Sequence, residues 1–267
     1  MIIDFHTHIF PDAIAGNTIP FLEARSGITA ATNGTAEGLL AAMNRDGVDL
    51  SIVLPVVTKP AQFDSINAFA KKINETYPGR LLSFGGIHPD CENYKEKLET
   101  IKALGLPGIK IHPDYQGVMI DDVRFLNIIE YADALDLIIV THAGTDIGLP
   151  EPVHCPPERM RKVLDKLHPK RMVLAHLGGW QQWEAVEEYL AGEDVYLDTA
   201  FTFDYISEEM FYKIWQKHDK EKILFATDSP WGSAGRTLEQ IRQLHLEEDA
   251  IQELLGNNAK RLLGLVE

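Results

Sequence analysis

The chain has 267 residues, of which 45% are hydrophobic and 24% charged, a composition typical of globular proteins with a substantial core. Its 40 acidic and 25 basic residues give a formal net charge of −15, and no dense basic cluster offsets it. This balance argues against nucleic acid and anionic membranes as partners. No apolar run reaches ~18 residues, so we expect no transmembrane helix.

The two cysteines, Cys91 and Cys155, lie far apart in the sequence. This spacing argues against a disulfide framework and indicates a reducing compartment. No charged segment followed by an apolar one precedes the first predicted strand, so we expect no signal peptide and a cytoplasmic location. We expect one domain over 1–267; a homodimer is compatible with a composition that carries no interface signal.

The first ten residues begin with the apolar pattern of a buried strand. Strand side chains repeat every two residues, so we expect the imidazoles of His6 and His8 to lie on one face. Such a pair at the end of a strand can hold a metal ion, or it can make ordinary hydrogen bonds. Asp4 has the same parity and is either an orienter of a ligand imidazole or a buried, hydrogen-bonded carboxylate.

Two segments separate this strand from the next one. Residues 10–33 are polar and contain glycine, and we predict a functional loop or lid there. Residues 35–45 predict a helix, with Leu39, Leu40 and Met43 on one face and Asp46-Gly47 at its end.

Strand and helix patterns then alternate along the chain. Apolar segments predict strands over 51–57, 81–87, 108–111, 137–141, 171–175, 195–199 and 222–227, and amphipathic segments predict helices over 64–77, 92–104, 122–135, 157–167, 181–190, 206–217, 237–245 and 247–263. With the first strand, eight strands alternate with helices, which favours an α/β fold with parallel pairing, a (β/α)8 TIM barrel. An open doubly wound sheet is the competing architecture, but it usually has a glycine-rich loop where this chain has His-Thr-His.

Most of the histidines lie at predicted strand ends, and the active site of such a barrel lies at the carboxyl ends of its strands. The chemically active residues at these ends are His6, His8, His88, Lys110, His112, His142, His176 and Asp228. Folding stability gives no reason for this clustering. Imidazoles with a carboxylate suit Zn²⁺, and they also accept Mn²⁺, Fe²⁺ or Ni²⁺.

The order and spacing of these motifs resemble the amidohydrolase superfamily of metal-dependent barrels, in particular the amidohydrolase-related branch that includes aminocarboxymuconate-semialdehyde decarboxylase. The matching residues are Asp4-Phe-His6-Thr-His8, His142, His176, Asp228 and the closing segment 254–264. The resemblance implies that His6, His8 and His142 bind the metal, and that Asp228 completes the set or moves a proton from metal-bound water. It implies that His176 polarises the substrate or activates water, or binds a second ion in a two-metal site.

Three further residues have open roles under this resemblance. Some two-metal members use a carbamylated lysine near the position of Lys110 as a bridging ligand, whereas many one-metal relatives have a lysine or histidine there that contacts substrate. We favour substrate contact for Lys110 and His112, and one metal ion, most consistent with Zn²⁺, over two. His88 either contacts substrate or makes a plain hydrogen bond.

The function expected from this set is a metal-dependent hydrolase, in which metal-activated water attacks an amide, lactone or ester of a small molecule. The alternative is non-oxidative decarboxylation of a small aromatic or unsaturated acid, because the same ligands serve both reactions. A barrel that only binds is disfavoured because the ligand set is complete. Arg25 or Arg236 could bind a substrate carboxylate.

The remaining conspicuous residues receive simpler predictions. Trp180 and Trp231 either line an apolar part of the pocket or pack in the core. His154 and Cys155 are adjacent, which is a poor arrangement for a nucleophile and its base. We expect His168, His218 and His245 at the surface, because they fall in or beside predicted helices.

Overall fold

Parallel strands form a closed ring in the structure, a computed structural model that describes residues 1–265. The strands are β1 (Ile3–Thr7), β2 (Leu50–Val53), β3 (Leu81–Ser83), β4 (Gly85–Gly86), β5 (Gly108–Ile111), β6 (Ile138–Thr141), β7 (Met172–Leu174), β8 (Tyr196–Asp198) and β9 (Ile223–Leu224). β3 and β4 share one position in the ring: β3 pairs with β2, the chain passes through Phe84, and β4 pairs with β5.

Backbone hydrogen bonds join the first strand to the last. Phe5 N donates to Phe225 O at 2.9 Å, and Asp228 N donates to His6 O at 2.8 Å. The ring therefore closes, which confirms the predicted (β/α)8 TIM barrel. Closure also places the residues that follow β9 directly beside the end of β1.

Helices follow the strands around the ring. Within residues 1–265 the α-helices are α1 (Asp12–Ser26), α2 (Ala36–Asp46), α3 (Phe63–Thr76), α4 (Tyr94–Ala103), α5 (Pro113–Gln116), α6 (Val123–Ala134), α7 (Pro157–Leu167), α8 (Trp183–Tyr189), α9 (Glu208–Lys217), α10 (Ala234–Gln243), α11 (Glu248–Gln252) and α12 (Asn258–Leu263). Two 3₁₀ turns, Pro60–Gln62 and Lys220–Lys222, and a π-helix, Glu253–Asn257, complete the set. None of these helices combines the length and apolarity that crossing a membrane requires.

The predicted loop over 10–33 contains the helix α1, so that prediction is wrong. α1 lacks the apolar stripe of an amphipathic helix: it buries only Ala15 and Ile19, whereas Ile14 and Phe21 are exposed. It also contains Pro20, which is uncommon inside helices. Since α1 follows β1, it lies at the end of the barrel where the strand-end residues gather.

Apolar side chains fill the inside of the ring. Ile3, Phe5, Ile52, Val140 and other residues from strands all round the barrel pack into one cluster, which α12 joins through Ala259 and Leu262. The neighbouring strand residues, such as Ile109 and Ile139, pack instead in a larger cluster with the helices. The alternation matches the period of two along each strand.

A β-bulge interrupts β1 between Asp4 and Thr7, where its register with β2 shifts. A bulge turns neighbouring side chains away from simple alternation. Phe5 packs inside the ring, edge to face with Phe84, whereas Asp4 binds Thr227 in the barrel wall. The shared face that we expected for Asp4 and His6 is therefore wrong.

His218, which we expected at the surface, is 3% exposed. Its Nδ1 accepts a hydrogen bond from Gly192 N at 3.2 Å, and its Nε2 donates to Val195 O at 3.0 Å. The two backbone partners satisfy the ring and permit its burial. This histidine links the end of α9 to the segment before β8.

Candidate active site

Three side chains with metal-ligating atoms converge where the end of β1 meets the segment after β9. The Nε2 atoms of His6 and His8 lie 3.1 Å apart. Asp228 Oδ1 lies 3.4 Å from His6 Nε2 and 3.1 Å from His8 Nε2. We call His6, His8 and Asp228 the first group. It unites three of the four residues predicted as ligands.

Both Nε2 atoms of the first group carry lone pairs. His6 Nδ1 bonds to Asp198 Oδ2 at 2.9 Å, and His8 Nδ1 bonds to Leu54 O at 2.7 Å. Because these oxygens accept, each Nδ1 holds the ring proton and each Nε2 is unprotonated. Two lone pairs and a carboxylate oxygen this close repel one another unless a cation lies between them. The first group therefore fits a divalent metal ion.

The charges around the first group favour its metal-binding forms. Burial, and then the charge of Lys110, hold the pKa of His6 well below its usual value. Burial acts to raise the pKa of Asp228, but His6 and His8 bring it below its usual value. Neutral imidazoles and an ionised carboxylate are the forms that bind a metal.

Lys110 lies against the first group. Its side chain is buried, and Nζ lies 3.2 Å from His6 Nε2. Burial lowers the pKa of Lys110 to about 8, although Asp198 and Asp228 oppose this effect. The contact that we predicted between Lys110 and the substrate stays a prediction.

Asp198, which our sequence analysis did not single out, orients two histidines. Its Oδ2 accepts from His6 Nδ1, and its Oδ1 accepts from the backbone N–H groups of His176 and Ala200, each at 3.0 Å. A hydrogen bond that the far nitrogen donates to a carboxylate fixes the orientation of a ligand imidazole. Asp198 is the last residue of β8. Its position at the carboxyl end of a strand is therefore the sequence signal that marks it as a site residue.

A second group consists of His112, His142 and Asp146, whose candidate ligand atoms all lie within 4.8 Å of one another. The two imidazoles stack, with centroids 4.2 Å apart and planes at 6°. His112 Nδ1 accepts from Tyr115 N at 3.4 Å, so the ring proton is on Nε2, which lies 3.5 Å from Asp146 Oδ2. A protonated Nε2 cannot ligate a metal, so this group is arranged for hydrogen bonding.

His142 connects the second group to His176. His176 Nδ1 donates to Ala200 O at 2.9 Å, so its Nε2 accepts from His142 Nδ1 at 3.1 Å. This leaves His142 Nε2 unprotonated. Within residues 1–265 that atom has no hydrogen-bond partner, and neither has Asp114 Oδ2, 3.9 Å away. His142 thus lies in the second group, and metal binding by it stays a prediction.

Among the described residues, the backbone is left-handed at four residues other than glycine that lie two to four positions after a strand. φ is 59° at His176, 54° at Leu177, 50° at Phe201 and 63° at Asp228. Such conformations cost roughly 1–3 kcal/mol each and persist where the surroundings fix them. The His176 ring lies 5.4 Å from that of His6. Of the two residues predicted to be catalytic, Asp228 therefore belongs to the first group and His176 lies beside it.

The other residues predicted for the site have ordinary hydrogen bonds. His88 Nδ1 accepts from Asp90 N at 3.1 Å, as in the simpler of its two predicted roles. Asp4 accepts from Thr227 N and Oγ1 at 3.0 and 2.6 Å, and burial raises the pKa of Asp4 to about 7. Asp4 touches His6 only at its backbone N–H, so it is the buried carboxylate of the two alternatives.

The amidohydrolase family model matches residues 3–265, so the chain belongs to the amidohydrolase family. Among curated proteins, the chain is similar to 2-amino-3-carboxymuconate-6-semialdehyde decarboxylase of Dictyostelium discoideum. The two are 25% identical over 273 residues, which cover 84% of this chain and 75% of that protein.

Solved structures share the fold over nearly the whole chain. An uncharacterised TIM-barrel protein of Bordetella bronchiseptica is 18% identical, with a TM-score of 0.78 and coverage of 98% of each chain. A 5-carboxyvanillate decarboxylase of Novosphingobium aromaticivorans, complexed with manganese, is 14% identical, with a TM-score of 0.76 and coverage of 99% and 96%. At these identities the similarity establishes the fold alone.

These comparisons correct our expectation of a hydrolase, which is wrong. The curated relative is a decarboxylase, and so are several proteins of the same fold. The ligand set could not reveal the error, because hydrolysis and decarboxylation use the same metal-binding residues. The expected divalent metal agrees with the first group and with the manganese in a structure of this fold, but zinc in particular is not established.

Proposed function

We propose that the protein is a metal-dependent non-oxidative decarboxylase of a small aromatic or unsaturated acid. The observation that carries this proposal is the similarity to a decarboxylase over 84% of the chain, in a protein whose first group is intact. The reaction breaks the bond between the carboxylate carbon and its neighbour and releases CO₂. The electron pair stays on the neighbouring carbon, which takes up one proton.

The first group would hold one divalent ion. His6 and His8 present Nε2, Asp228 presents a carboxylate oxygen, and Asp198 keeps His6 in the required orientation. A bound ion supplies Lewis acidity and fixes an anionic substrate by its oxygens. We propose one ion, because the proton on His112 Nε2 argues against a second site in the other group. Zn²⁺ and Mn²⁺ both suit these ligands.

We assign the proton transfer to His176. Its Nε2 faces His142 Nδ1–H at 3.1 Å, and its Nδ1 is fixed by Ala200 O. Once the pair has taken up one proton from water, it would carry an imidazolium beside the first group, from which His176 Nε2 donates a proton to the substrate carbon, and water replaces that proton in the next turnover. Leu54 O holds His8 in place at 2.7 Å, and Asp228, beside His8 at 3.1 Å, would accept the proton of a substrate hydroxyl or of water. We also propose a cytoplasmic location. This agrees with Cys91 and Cys155, which are free and buried, because thiols persist in a reducing compartment.

A direct test measures CO₂ release from a panel of hydroxybenzoic and unsaturated acids by the Mn²⁺-loaded protein. In D₂O, we expect each product molecule to carry one deuterium at the carbon that lost CO₂, detected by mass spectrometry. The variant His8→Ala serves as the inactive control. Absence of CO₂ from every acid, with bound metal verified, would refute the proposal.

A further inference from the structure

Three consecutive residues after β7 have a left-handed backbone. φ is 59° at His176, 54° at Leu177 and 87° at Gly178. Glycine adopts this conformation freely, whereas a residue with a Cβ atom does so at a cost in energy. Such a turn persists only where neighbouring groups fix it. Because the turn carries the imidazole of His176, the groups that fix it also set the direction of that ring.

One peptide group lies at the centre of this turn. It joins His176 to Leu177, and its polar ends are the carbonyl oxygen of His176 and the N–H of Leu177. That N–H donates to the backbone oxygen of Asp198, the last residue of β8. The peptide is a rigid plane, so its rotation changes ψ of His176 and φ of Leu177 together. A second bond, to the oxygen, is needed to fix the plane from its other side.

The indole of Trp183 supplies this second bond. Trp183 Nε1 donates to His176 O at 3.1 Å, and Gly179 N reaches the same oxygen at 3.3 Å. Trp183 is the first residue of α8, and its side chain is 6% exposed and packs in the larger apolar cluster. Packing therefore fixes the position of the indole N–H. The peptide is held at both ends, by β8 and by α8.

The two bonds of the imidazole depend on this restraint. His176 Nδ1 donates to Ala200 O at 2.9 Å, and Nε2 accepts from His142 Nδ1 at 3.1 Å, so the ring must leave the backbone in one direction. We propose that Trp183 is a positioning residue that holds the His176–Leu177 peptide, so that His176 Nε2 stays directed at the substrate carbon. This inference rests on the proposed function, in which His176 donates the proton.

The test removes the indole N–H and keeps an aromatic ring. In Trp183→Phe we expect kcat to fall about 10–100-fold, because small displacements of a reacting group have effects of this size. KM and metal content should stay at wild-type values. The acid used is the one in the panel from which the wild type releases CO₂ fastest. Replacing Trp183 by benzothienylalanine, which keeps the bicyclic shape but lacks the N–H, should have the same effect and decides the question if Trp183→Phe does not fold.

A matched control and a spectroscopic readout separate this role from simple packing. Trp215 in α9 is 5% exposed and stacks on Phe211, and within residues 1–265 its Nε1 makes no hydrogen bond, so Trp215→Phe should behave as wild type. In NMR spectra of the Zn²⁺-loaded protein, the Nδ1–H signal of His176 should shift in both Trp183 variants. The ring N–H of His218, which donates to Val195 O at 3.0 Å, is the internal reference and should not move.

The outcomes separate this inference from the proposed function. The inference is overturned by a wild-type kcat or an unshifted His176 signal in the Trp183 variants, by a parallel change in KM or metal content, or by an equal loss in Trp215→Phe. In each of these cases the wild type still releases CO₂, and the proposed function stands. If the wild type releases CO₂ from no acid, the proposed function fails and the catalytic role of Trp183 fails with it; the His176 signal then shows separately whether Trp183 holds the ring.

Discussion

Two histidine groups share the mouth of this barrel, yet they present opposite chemistry. In the first group, the far nitrogens of His6 and His8 face oxygen acceptors, so their near nitrogens carry lone pairs. In the second group, the far nitrogen of His112 accepts from a backbone N–H, so its near nitrogen carries a proton. The partner on the far side of each ring thus decides whether that histidine can ligate a metal or donate a hydrogen bond.

The largest expected difference between the groups is in metal binding. His8→Ala removes one of three converging ligands, and we expect the metal affinity to fall by more than about 100-fold and decarboxylation to be lost. His112→Ala removes an imidazole from the same mouth and should leave the ion bound. Equilibrium dialysis followed by elemental analysis measures both. Full metal content in His8→Ala, or loss in His112→Ala, would reverse our assignment of the two groups.

Within the first group, Asp228 separates binding from turnover. Asp228→Asn keeps an oxygen that can ligate but removes the site that accepts a proton. We expect most of the metal to remain and the rate of the proposed reaction to fall by about 10²–10⁴-fold. Steady-state kinetics at verified metal occupancy checks this, with Asp146→Asn as the matched change in the second group. A fully active Asp228→Asn protein would exclude the proton role.

The variant Asp198→Asn changes the hydrogen-bond partner of His6 Nδ1, the ring nitrogen that faces away from the metal site. An amide replaces one of two oxygens that accept from N–H groups, so an NH₂ would face His6 Nδ1–H or two backbone N–H groups. We expect the metal affinity to fall by about 10–100-fold, as for other partners of ligand histidines. Competition with a chelating dye measures the affinity. If Asp198→Asn binds metal like the wild type, the orientation of His6 has another cause.

The smallest expected effect is on the free energy of unfolding. It concerns Asp114 Oδ2 and His142 Nε2, which have no hydrogen-bond partner in the part of the chain that the structure describes. Asp114 Oδ1 accepts from His154 N and Nδ1, whereas Oδ2 faces the unprotonated His142 Nε2. Asp114→Asn keeps an acceptor for His154 and offers an N–H to His142. We expect the free energy of unfolding to rise by about 0.5–1.5 kcal/mol.

Urea denaturation at equal metal concentration checks this value, because metal binding itself shifts stability. Asp204→Asn is the control, since that carboxylate already accepts from Arg236 and Gln240 and should gain nothing. A destabilised Asp114→Asn protein would show that Asp114 needs its charge.

The strand-end rule located the first group from sequence because it depends only on local pattern and on barrel closure. The chemistry of the second group depends on which ring nitrogen carries the proton. That position is determined by contacts such as the hydrogen bond from Tyr115 N to His112 Nδ1, which no periodic pattern in the sequence predicts. The bulge in β1 could not be predicted either, because the period-two pattern of a strand assumes a regular register with its neighbour. α1 was missed because a helix that buries so little leaves no periodic signal. The choice of reaction came from relatives, since one ligand set serves both chemistries.

The ring closes through contacts between β1 and the segment after β9, and the same junction carries the first group. During synthesis, His6 and His8 therefore emerge long before their carboxylate partner, and no complete binding site exists until Asp228 has docked. A bound ion would stabilise the contact between the N-terminal strand and the segment after β9. Only the folded chain brings both sets of ligands together, so the free energy of metal binding adds to the free energy of folding. We therefore expect a chelator to lower the unfolding temperature. We also expect the contact between β1 and the segment after β9 to open before the rest of the barrel unfolds.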